Sequence, residues 1–525
     1  MYLIKINEKY IIFPSIVALV CLVAFAQDIV SLFFKEFIAV LKHTVNDIVS
    51  IQVIPDITIY QSYSLSSWLI IFLISAVISS CLIGRIDKLR KLKEAGIKLL
   101  SDNIDEMRDK TLYNAKAVTP ASKNELTLIG YNRLKRAVYS DDNAKHIFVC
   151  GTTGSGKTVL LSNYIKSGIS KDYGVLIIDG KGDVGKNSIL EIAQNFAKQF
   201  GRQLYVVNMN DPQRSSKYNP FIGASETVCK DMLVNMTDWS EEHYKSNAER
   251  YIQRLIKLLN IQGGALSFKR IIQSFPKSKF EELSAYLTKE QLISKEEHLE
   301  NLELIKASGK IAENASARFS TIAESEIGDI FDESGVDIFT ALNSGAVMLF
   351  ILNPLIYSET SIAMGRLLLI DAKKAVSKMF GNNKRSFFIF DEINVYASTV
   401  LIDLINKSRS AGITCIPATQ SLADLEAIAG SAFKQQIIEN CNNYVVLRQN
   451  SSASAGEWAK TLGTKETMKM TYQISNSEST GLGTAKRVRE FIVHPDEIKG
   501  QQTGTGIFLS RDTGKCEKIK IVKPF

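Results

Sequence analysis

An eight-residue segment at 151–158, GTTGSGKT, carries the clearest chemical signal in the sequence, because it fits the pattern G-x-x-x-x-G-K-[S/T]. The apolar segment 146–150 before it predicts a short buried strand, and the segment 159–164 after it predicts the start of a helix. In this setting glycines allow backbone N–H groups to surround phosphate oxygens, and the helix N-terminus adds partial positive charge. We therefore predict that the loop binds the phosphates of ATP through Gly151, Thr152, Thr153, Gly154, Ser155, Gly156, Lys157 and Thr158.

Two acidic residues, Asp391 and Glu392, follow a second apolar segment, 386–390, that predicts another strand. In P-loop NTPases a carboxylate at this position helps to hold Mg²⁺, and its neighbour can orient the attacking water. We assign Asp391 and the hydroxyl of Thr158 to Mg²⁺, and Glu392 to the water. Lys157 is expected to reach the β and γ phosphate oxygens. These residues together predict a Mg²⁺-dependent ATPase.

Further apolar segments predict core strands at 175–178, 204–208, 347–352 and 414–420. Their alternation with helical segments is typical of a mostly parallel α/β sheet, in which ligands bind at the carboxyl ends of the strands. Asp179, Lys181 and Asp183 follow the first of these segments in a polar turn, and Gln420 ends the last. The end of the chain, 506–525, predicts a β-hairpin.

Residues 222–340 interrupt this alternation, because they are polar and helix-patterned and contain no strong strand signal. We interpret them as an all-α insertion domain within a P-loop nucleotide-binding domain formed by 126–221 and 341–525. Its aromatic residues are expected to form a local core rather than a surface for stacking bases: Trp239, Tyr244, Tyr251 and Phe268.

The first 84 residues are predicted to form a two-helix transmembrane anchor, with spans at about 11–34 and 64–84. The second span contains no charged residue and is long enough to cross a hydrocarbon core of about 30 Å. Basic residues crowd just after the second span and precede the first, which places both termini in the cytoplasm. Residues 85–125 are predicted to be a cytoplasmic stalk or linker. A pair of buried helices in a soluble domain is the alternative interpretation.

Composition narrows the class of protein further. The chain has 525 residues and a formal net charge of +8, from 63 basic and 55 acidic residues. This mild basic bias fits anionic lipid or nucleic acid as a partner without requiring either. The seven cysteines are scattered and contain no C-x-x-C pair, which argues against a disulfide scaffold or a zinc ribbon and fits a reducing compartment.

Several segments together produce a family resemblance that covers nearly the whole chain. Besides GTTGSGKT and the turn DGKGD at 179–183, they are KYNPF at 217–221, FDEIN at 390–394, KSRSAGI at 407–413, TQSLADL at 419–425, YVVLRQN at 444–450 and REFIVHPDEI at 489–498. In this order, after a two-span anchor, they resemble the TraG/TraD-type coupling proteins of type IV secretion and conjugation, within the FtsK/HerA group of ring ATPases.

The resemblance implies a RecA-like fold and a homohexamer with a central channel. It implies that Gln420 senses the γ-phosphate and that Arg409 is an arginine finger that completes the site of a neighbouring subunit. It also implies that Asp179, Lys181 and Asp183 form a turn beside the nucleotide. The expected partners are DNA bound without sequence preference, a relaxase and the channel proteins of the bacterial inner membrane.

We therefore expect a membrane-anchored hexameric ATPase that recruits DNA–relaxase complexes, protein substrates or both, and drives their transfer through a type IV secretion channel. Two alternatives from other classes remain open. One is a chromosomal DNA translocase of the FtsK/HerA type, and the other is a docking receptor that binds ATP without acting as a motor.

Overall fold

The computed structural model describes residues 125–143, 145–381, 384–475 and 478–524, without the side chains of 470–485. Of these, 125–467 and 489–524 belong to one compact unit and 468–488 to a second. The predicted membrane anchor and all but the last residue of the predicted stalk lie outside the described residues. Within the described ranges, no helix is long and apolar enough to cross a membrane.

Most strands of the described part of the chain belong to a single sheet. In chain order, the strands are β1 (Leu126–Asn132), β2 (Ala137–Asp141), β3 (Ile147–Cys150), β4 (Gly174–Asp179), β5 (Leu204–Asn208), β6 (Val347–Ile351), β7 (Ser386–Asp391), β8 (Ile413–Thr419), β9 (Asn443–Val446), β10 (Thr464–Ser475), β11 (Glu478–Phe491), β12 (Thr505–Ser510) and β13 (Lys515–Ile521). β10 and β11 pair only with each other, and the remaining strands form one sheet in the order β2-β1-β13-β12-β9-β3-β8-β7-β4-β6-β5.

The central part of this sheet is parallel, from β9 through β5, whereas β2, β1, β13 and β12 extend it with antiparallel pairs. Every residue of β3, β4, β6, β7 and β8 is buried, as expected for parallel strands covered on both faces. The predicted α/β class is thus confirmed. The terminal hairpin is also present, because β12 pairs with β13.

The helices of the described residues cover the two faces of the sheet unequally. They are α1 (Lys157–Ser170), α2 (Ile189–Gln199), α3 (Glu226–Asn235), α4 (Glu242–Gln262), α5 (Phe268–Gln273), α6 (Lys277–Lys289), α7 (Lys295–Ala323), α8 (Ile338–Asn343), α9 (Ser358–Met379), α10 (Thr399–Ser408), α11 (Leu422–Asn440), α12 (Ser452–Leu462) and α13 (Pro495–Lys499). α1 and α2 share a core with one face, and the larger core on the other face includes residues of the remaining helices.

The stretch between β5 and β6 is helical, and most of its aromatic residues are internal. Tyr251 and Phe268 are fully buried, and Trp239 is half-buried with its indole N–H donating to the carbonyl of Val234 at 2.9 Å. Tyr244 departs from the expected local core, because it is 42% exposed. These helices lie in the same compact unit as the sheet.

A buried ionic cluster ties the KYNPF segment and Asp337, just before α8, to α9. The ammonium of Lys374, on α9, lies 2.9 Å from a carboxylate oxygen of Asp337 and 2.8 Å from one of Asp371. It also donates to the carbonyl of Pro220 at 2.6 Å, while the hydroxyl of Tyr218 donates to Asp371 at 2.8 Å. The cluster therefore joins three segments that are distant in the chain: KYNPF, the residue before α8, and α9.

Candidate active site

The glycine-rich loop joins β3 to α1, so it lies at the carboxyl edge of the parallel strands. Gly156 has φ +109, a left-handed conformation that side chains disfavour, and it begins α1 at the end of the loop. The N–H groups of Thr153, Gly154 and Gly156 donate to no acceptor among the described residues. Free N–H groups at a helix N-terminus form the arrangement that binds phosphate oxygens.

Two residues just before β12 support the loop from the far end of the chain. The hydroxyl of Thr503 donates to the carbonyl of Gly154 at 3.0 Å, and the N–H of Gly504 donates to the carbonyl of Ser155 at 2.9 Å. A Cβ at Gly156 would lie 3.2 Å from the Cα of Gly504, so the two segments are close-packed. This contact was not predicted from the sequence, although the repeated glycines of TGTG at 503–506 mark a turn.

Lys157 meets both acidic residues of the DE pair at the end of β7. Its ammonium lies 2.5 Å from a carboxylate oxygen of Glu392 and 3.6 Å from one of Asp391. All three residues are buried, with exposed fractions of 8%, 5% and 1% for Lys157, Glu392 and Asp391. Glu392 has φ +49, outside the strand conformation, so the backbone leaves the direction of β7 at this residue. The structure thus brings together three of the predicted site residues.

Gln420 joins this group from the carboxyl end of β8. Its amide N–H donates to the same oxygen of Glu392 at 3.1 Å, and its amide oxygen accepts from the hydroxyl of Thr153 at 3.1 Å. Thr153, Gln420, Glu392 and Lys157 therefore form one continuous chain of hydrogen bonds. The other carboxylate oxygen of Glu392 is buried and has no partner among the described residues.

Asp179, the last residue of β4, is the cross-strand neighbour of Asp391. Burial, assisted by the negative charge of Asp391, raises the pKa of Asp179 to about 7. Burial also raises the pKa of Asp391, against the opposing effect of Lys157. Lys181 and Asp183 instead form a largely exposed ion pair of 2.9 Å in the following turn. The predicted turn is therefore beside the site, with only its first residue buried in it.

Arg409 lies at the amino ends of the parallel strands, opposite the carboxyl ends where the predicted site is. It is exposed, in the short turn before β8, whereas Gln420 follows that strand. Its positive charge acts on His146, just before β3, whose pKa is lowered to about 4 chiefly by burial. A seven-residue strand spans about 20 Å, so Arg409 is far from Lys157 of its own chain. Within one chain, the structure does not bring Arg409 to the predicted site.

The residues at the carboxyl edge fit a nucleotide and Mg²⁺. The free N–H groups and Lys157 suit a polyphosphate, and the hydroxyl of Ser155 is a buried polar atom without a partner among the described residues. Mg²⁺ in such sites is usually bound through one or two protein oxygens plus substrate phosphates. The two predicted ligands, Thr158 in the first turn of α1 and Asp391 at the end of β7, both offer oxygen atoms that would hold it.

Comparison of the sequence with family models finds a match over residues 137–513 to the type IV secretion-system coupling protein DNA-binding domain. A 137-residue segment is 26% identical to the type 4 coupling protein DotL of Legionella pneumophila, covering 23% of this chain and only 17% of DotL. A 101-residue segment is 30% identical to an uncharacterised protein of Mycoplasma pneumoniae, covering 19% of this chain and 67% of that protein.

Comparison with solved structures finds the same fold in the bacterial conjugative coupling protein TrwB. The unbound form has 18% identity and a TM-score of 0.55, covering 76% of this chain and 89% of that one. TrwB in complex with ADP and Mg²⁺ has 18% identity and a TM-score of 0.54, with the same coverage of both chains. At this identity, the likeness establishes a shared fold.

Proposed function

Because the chain belongs to the family of type IV secretion-system coupling proteins, we propose that it is a membrane-anchored, Mg²⁺-dependent ATPase that recruits DNA–relaxase complexes, protein substrates or both, and drives their transfer through a secretion channel. The observation that carries the enzymatic part is the convergence of Lys157, Glu392 and Gln420 beside free loop N–H groups. A protein that only docked substrates would need no carboxylate beside the phosphate site.

Each residue of the site has a distinct part in this proposal. The loop N–H groups and Lys157 bind the phosphates, and Thr158 and Asp391 hold Mg²⁺. When bound, Mg²⁺ would neutralise charge that develops on the phosphate oxygens. Glu392 orients the attacking water through the carboxylate oxygen that now lacks a partner, and Gln420 fixes the position of that carboxylate.

The position of Arg409 supports assembly into a ring. An exposed arginine about 20 Å from its own site can act on phosphate only in another subunit, where it would neutralise transition-state charge. We propose that the ring is a homohexamer and that the inner bacterial membrane holds it through the predicted anchor, with both termini in the cytoplasm. The fold shared with TrwB, a conjugative coupling protein, supports DNA as cargo, as does the DNA-binding domain that the family model describes.

The test is steady-state ATPase activity of the full chain, with and without DNA. We expect activity that DNA stimulates, and a Glu392→Gln variant that binds ATP but loses at least about a hundredfold in turnover, which is typical for a catalytic acid–base residue. Activity in the variant equal to that of the parent would refute the assignment of Glu392. Activity that is indifferent to DNA would favour protein cargo.

Mixing variants tests the role of Arg409 in a neighbouring site. Arg409→Ala and Glu392→Gln chains should each be inactive alone. A mixture of the two should regain partial activity, because some interfaces then combine an intact Arg409 with an intact Glu392. Arg250→Ala, which alters another exposed arginine, is the matched control and should keep full activity. An active Arg409→Ala protein would refute the arginine-finger role.

A further inference from the structure

The turn between β1 and β2 presents an ordered group of basic and apolar side chains. Arg133, Leu134, Lys135 and Arg136 are all exposed, with Leu134 70% exposed at the tip. The side-chain oxygen of Asn132 accepts from the N–H groups of Leu134 and Arg136, each at 3.0 Å. We use the name basic hairpin for residues 131–139. Because its turn is held by these hydrogen bonds, the charges project from a fixed frame.

Exposed aromatic and basic side chains continue from the turn onto the strands beside it. Tyr131 and Tyr139 are 42% and 47% exposed. Lys520 on β13 is the cross-strand neighbour of Tyr131 and is exposed as well. Nearby Lys518 is neutralised by an ion pair with Glu497.

The remaining cations of this surface are not compensated. Arg133, Lys135, Arg136 and Lys520 form no ion pair with any described residue. Exposed side chains of one sign beside exposed aromatic and aliphatic groups fit an anionic partner with an apolar layer. A surface that served only solubility would not need Leu134 exposed in its turn.

From this surface we propose that the basic hairpin docks on anionic phospholipid at the membrane face. Arginine and lysine bind phosphate headgroups, while tyrosine and leucine side chains enter the boundary between headgroups and acyl chains. Nucleic acid would satisfy the charges but would place Leu134 against phosphates, where an aliphatic side chain contributes nothing. Lipid accommodates both kinds of side chain and is the better match.

The place of the hairpin in the fold agrees with this partner. β1 begins directly after the predicted stalk, and β2 is an edge strand of the sheet. The helices between β5 and β6 connect to the strand at the opposite end of the sheet order, β5. The helical region can therefore face the cytoplasm while the basic hairpin faces the membrane. This orientation rests on the proposed membrane location of the chain.

The test places a tryptophan reporter at the tip of the hairpin in the full chain. Leu134→Trp is the probe, and Leu355→Trp, at a loop position that is 92% exposed, is the matched control. The reporter signal is the tryptophan fluorescence of the variant minus that of the parent chain, because the parent has three tryptophans of its own. The proteins are reconstituted into vesicles of phosphatidylcholine with brominated acyl chains, either alone or mixed with phosphatidylglycerol, and bromine quenches tryptophan that contacts the acyl region.

We expect quenching of the Leu134→Trp reporter in the phosphatidylglycerol vesicles, much less in phosphatidylcholine alone, and none for Leu355→Trp in either. Each basic residue near an anionic surface contributes about a fivefold factor to binding. Adding Arg133→Glu, Lys135→Glu and Arg136→Glu to the probe should therefore abolish the quenching. Loss of the effect in high salt is a further expected result.

Several outcomes would overturn the proposal. They are absence of quenching in anionic vesicles, equal quenching at both reporter positions, and quenching that survives the charge reversals. A Leu134→Trp emission that changes on adding a DNA oligonucleotide, and not with anionic lipid, would assign the surface to nucleic acid. A change that follows protein concentration alone would assign it to a second copy.

Flotation of the same vesicles separates this proposal from the proposed anchor. Protein that floats with neutral vesicles but shows no quenching in anionic ones retains its anchor and refutes docking of the hairpin. Protein that does not float with neutral vesicles but is quenched by anionic ones lacks a functional anchor and still docks through the hairpin.

Discussion

Replacing Lys374 by methionine tests whether the buried ionic cluster beneath the KYNPF segment stabilises the protein. Methionine keeps most of the side-chain volume but removes the charge and the donors to Asp337, Asp371 and the carbonyl of Pro220. One oxygen of each carboxylate has no hydrogen-bond partner other than this ammonium among the described residues. The variant would therefore bury two carboxylates without their counterion.

The expected loss is large because both acidic residues are fully buried. Removing one partner of a buried ion pair usually destabilises a protein by about 3–5 kcal/mol. The adjacent Lys373 offers a matched control, because its 3.1 Å ion pair with Asp403 is exposed on both sides. Exposed pairs contribute about 0–1 kcal/mol, so Lys373→Met should have almost no effect.

The deficit of Lys374→Met should also depend on pH. Burial raises the pKa of Asp371 above its ordinary value of 3.8, and loss of the lysine charge would raise it further. A carboxyl with a raised pKa in the folded state contributes its full stability below the unfolded value and loses it as the pH rises through the folded value. The variant should therefore be closer to the parent at about pH 5 than at about pH 8.

The assay is urea unfolding of the full chain followed by pulse proteolysis, which counts folded molecules without requiring a fully reversible transition. Adding Asp337→Asn and Asp371→Asn to Lys374→Met should recover much of the loss, because amides have no charge to desolvate. Equal losses for Lys373→Met and Lys374→Met, or no recovery in the triple variant, would refute the reasoning.

Two further predictions concern the site. Thr153→Val removes the hydroxyl that orients Gln420 and should lower turnover about threefold to tenfold, the range expected for one neutral hydrogen bond, whereas Thr153→Ser should retain the parental rate in a steady-state ATPase assay. Asp179→Asn should stabilise the nucleotide-free protein above about pH 7, because the stability contributed by a carboxyl with a raised pKa is lost as the pH rises through that pKa. Thermal unfolding from about pH 5 to 8 measures this, with the exposed Asp183→Asn as control, and a parallel change in both variants would contradict it.

The sequence predicted those parts of the fold whose signal is local. The apolar strands of the parallel sheet are buried on both faces, so their residues stand out as continuous runs, and β5 begins and ends as predicted. The phosphate loop was equally clear, because its chemistry requires particular residue types at fixed spacing. These signals depend on neighbours in the chain.

The parts that were not predicted from the sequence depend on distant neighbours. β2 is an edge strand with one exposed face, and β1, beside it, pairs with β13 from the other end of the chain. The hydrogen bond from Thr153 to Gln420 joins residues 267 positions apart. The resemblance predicted a role for Arg409, but in the structure Arg409 precedes β8 and so lies at the opposite end of that strand from Gln420 and the site.

The charges at the site explain why it should accept a nucleotide together with a metal ion. Two buried acidic residues, Asp391 and Glu392, contact the buried ammonium of Lys157, and a third, Asp179, lies beside Asp391 on the neighbouring strand. A polyphosphate bound to Lys157 would draw that ammonium away from Glu392 and add further negative charge in a region of low dielectric. Burial chiefly, and the negative charge of Asp391 in addition, raise the pKa of Asp179, so a proton on Asp179 relieves part of this excess of negative charge. A divalent cation held by Asp391 would supply the missing charge, and Glu392, released from Lys157, would become free to orient water while Gln420 keeps it in place.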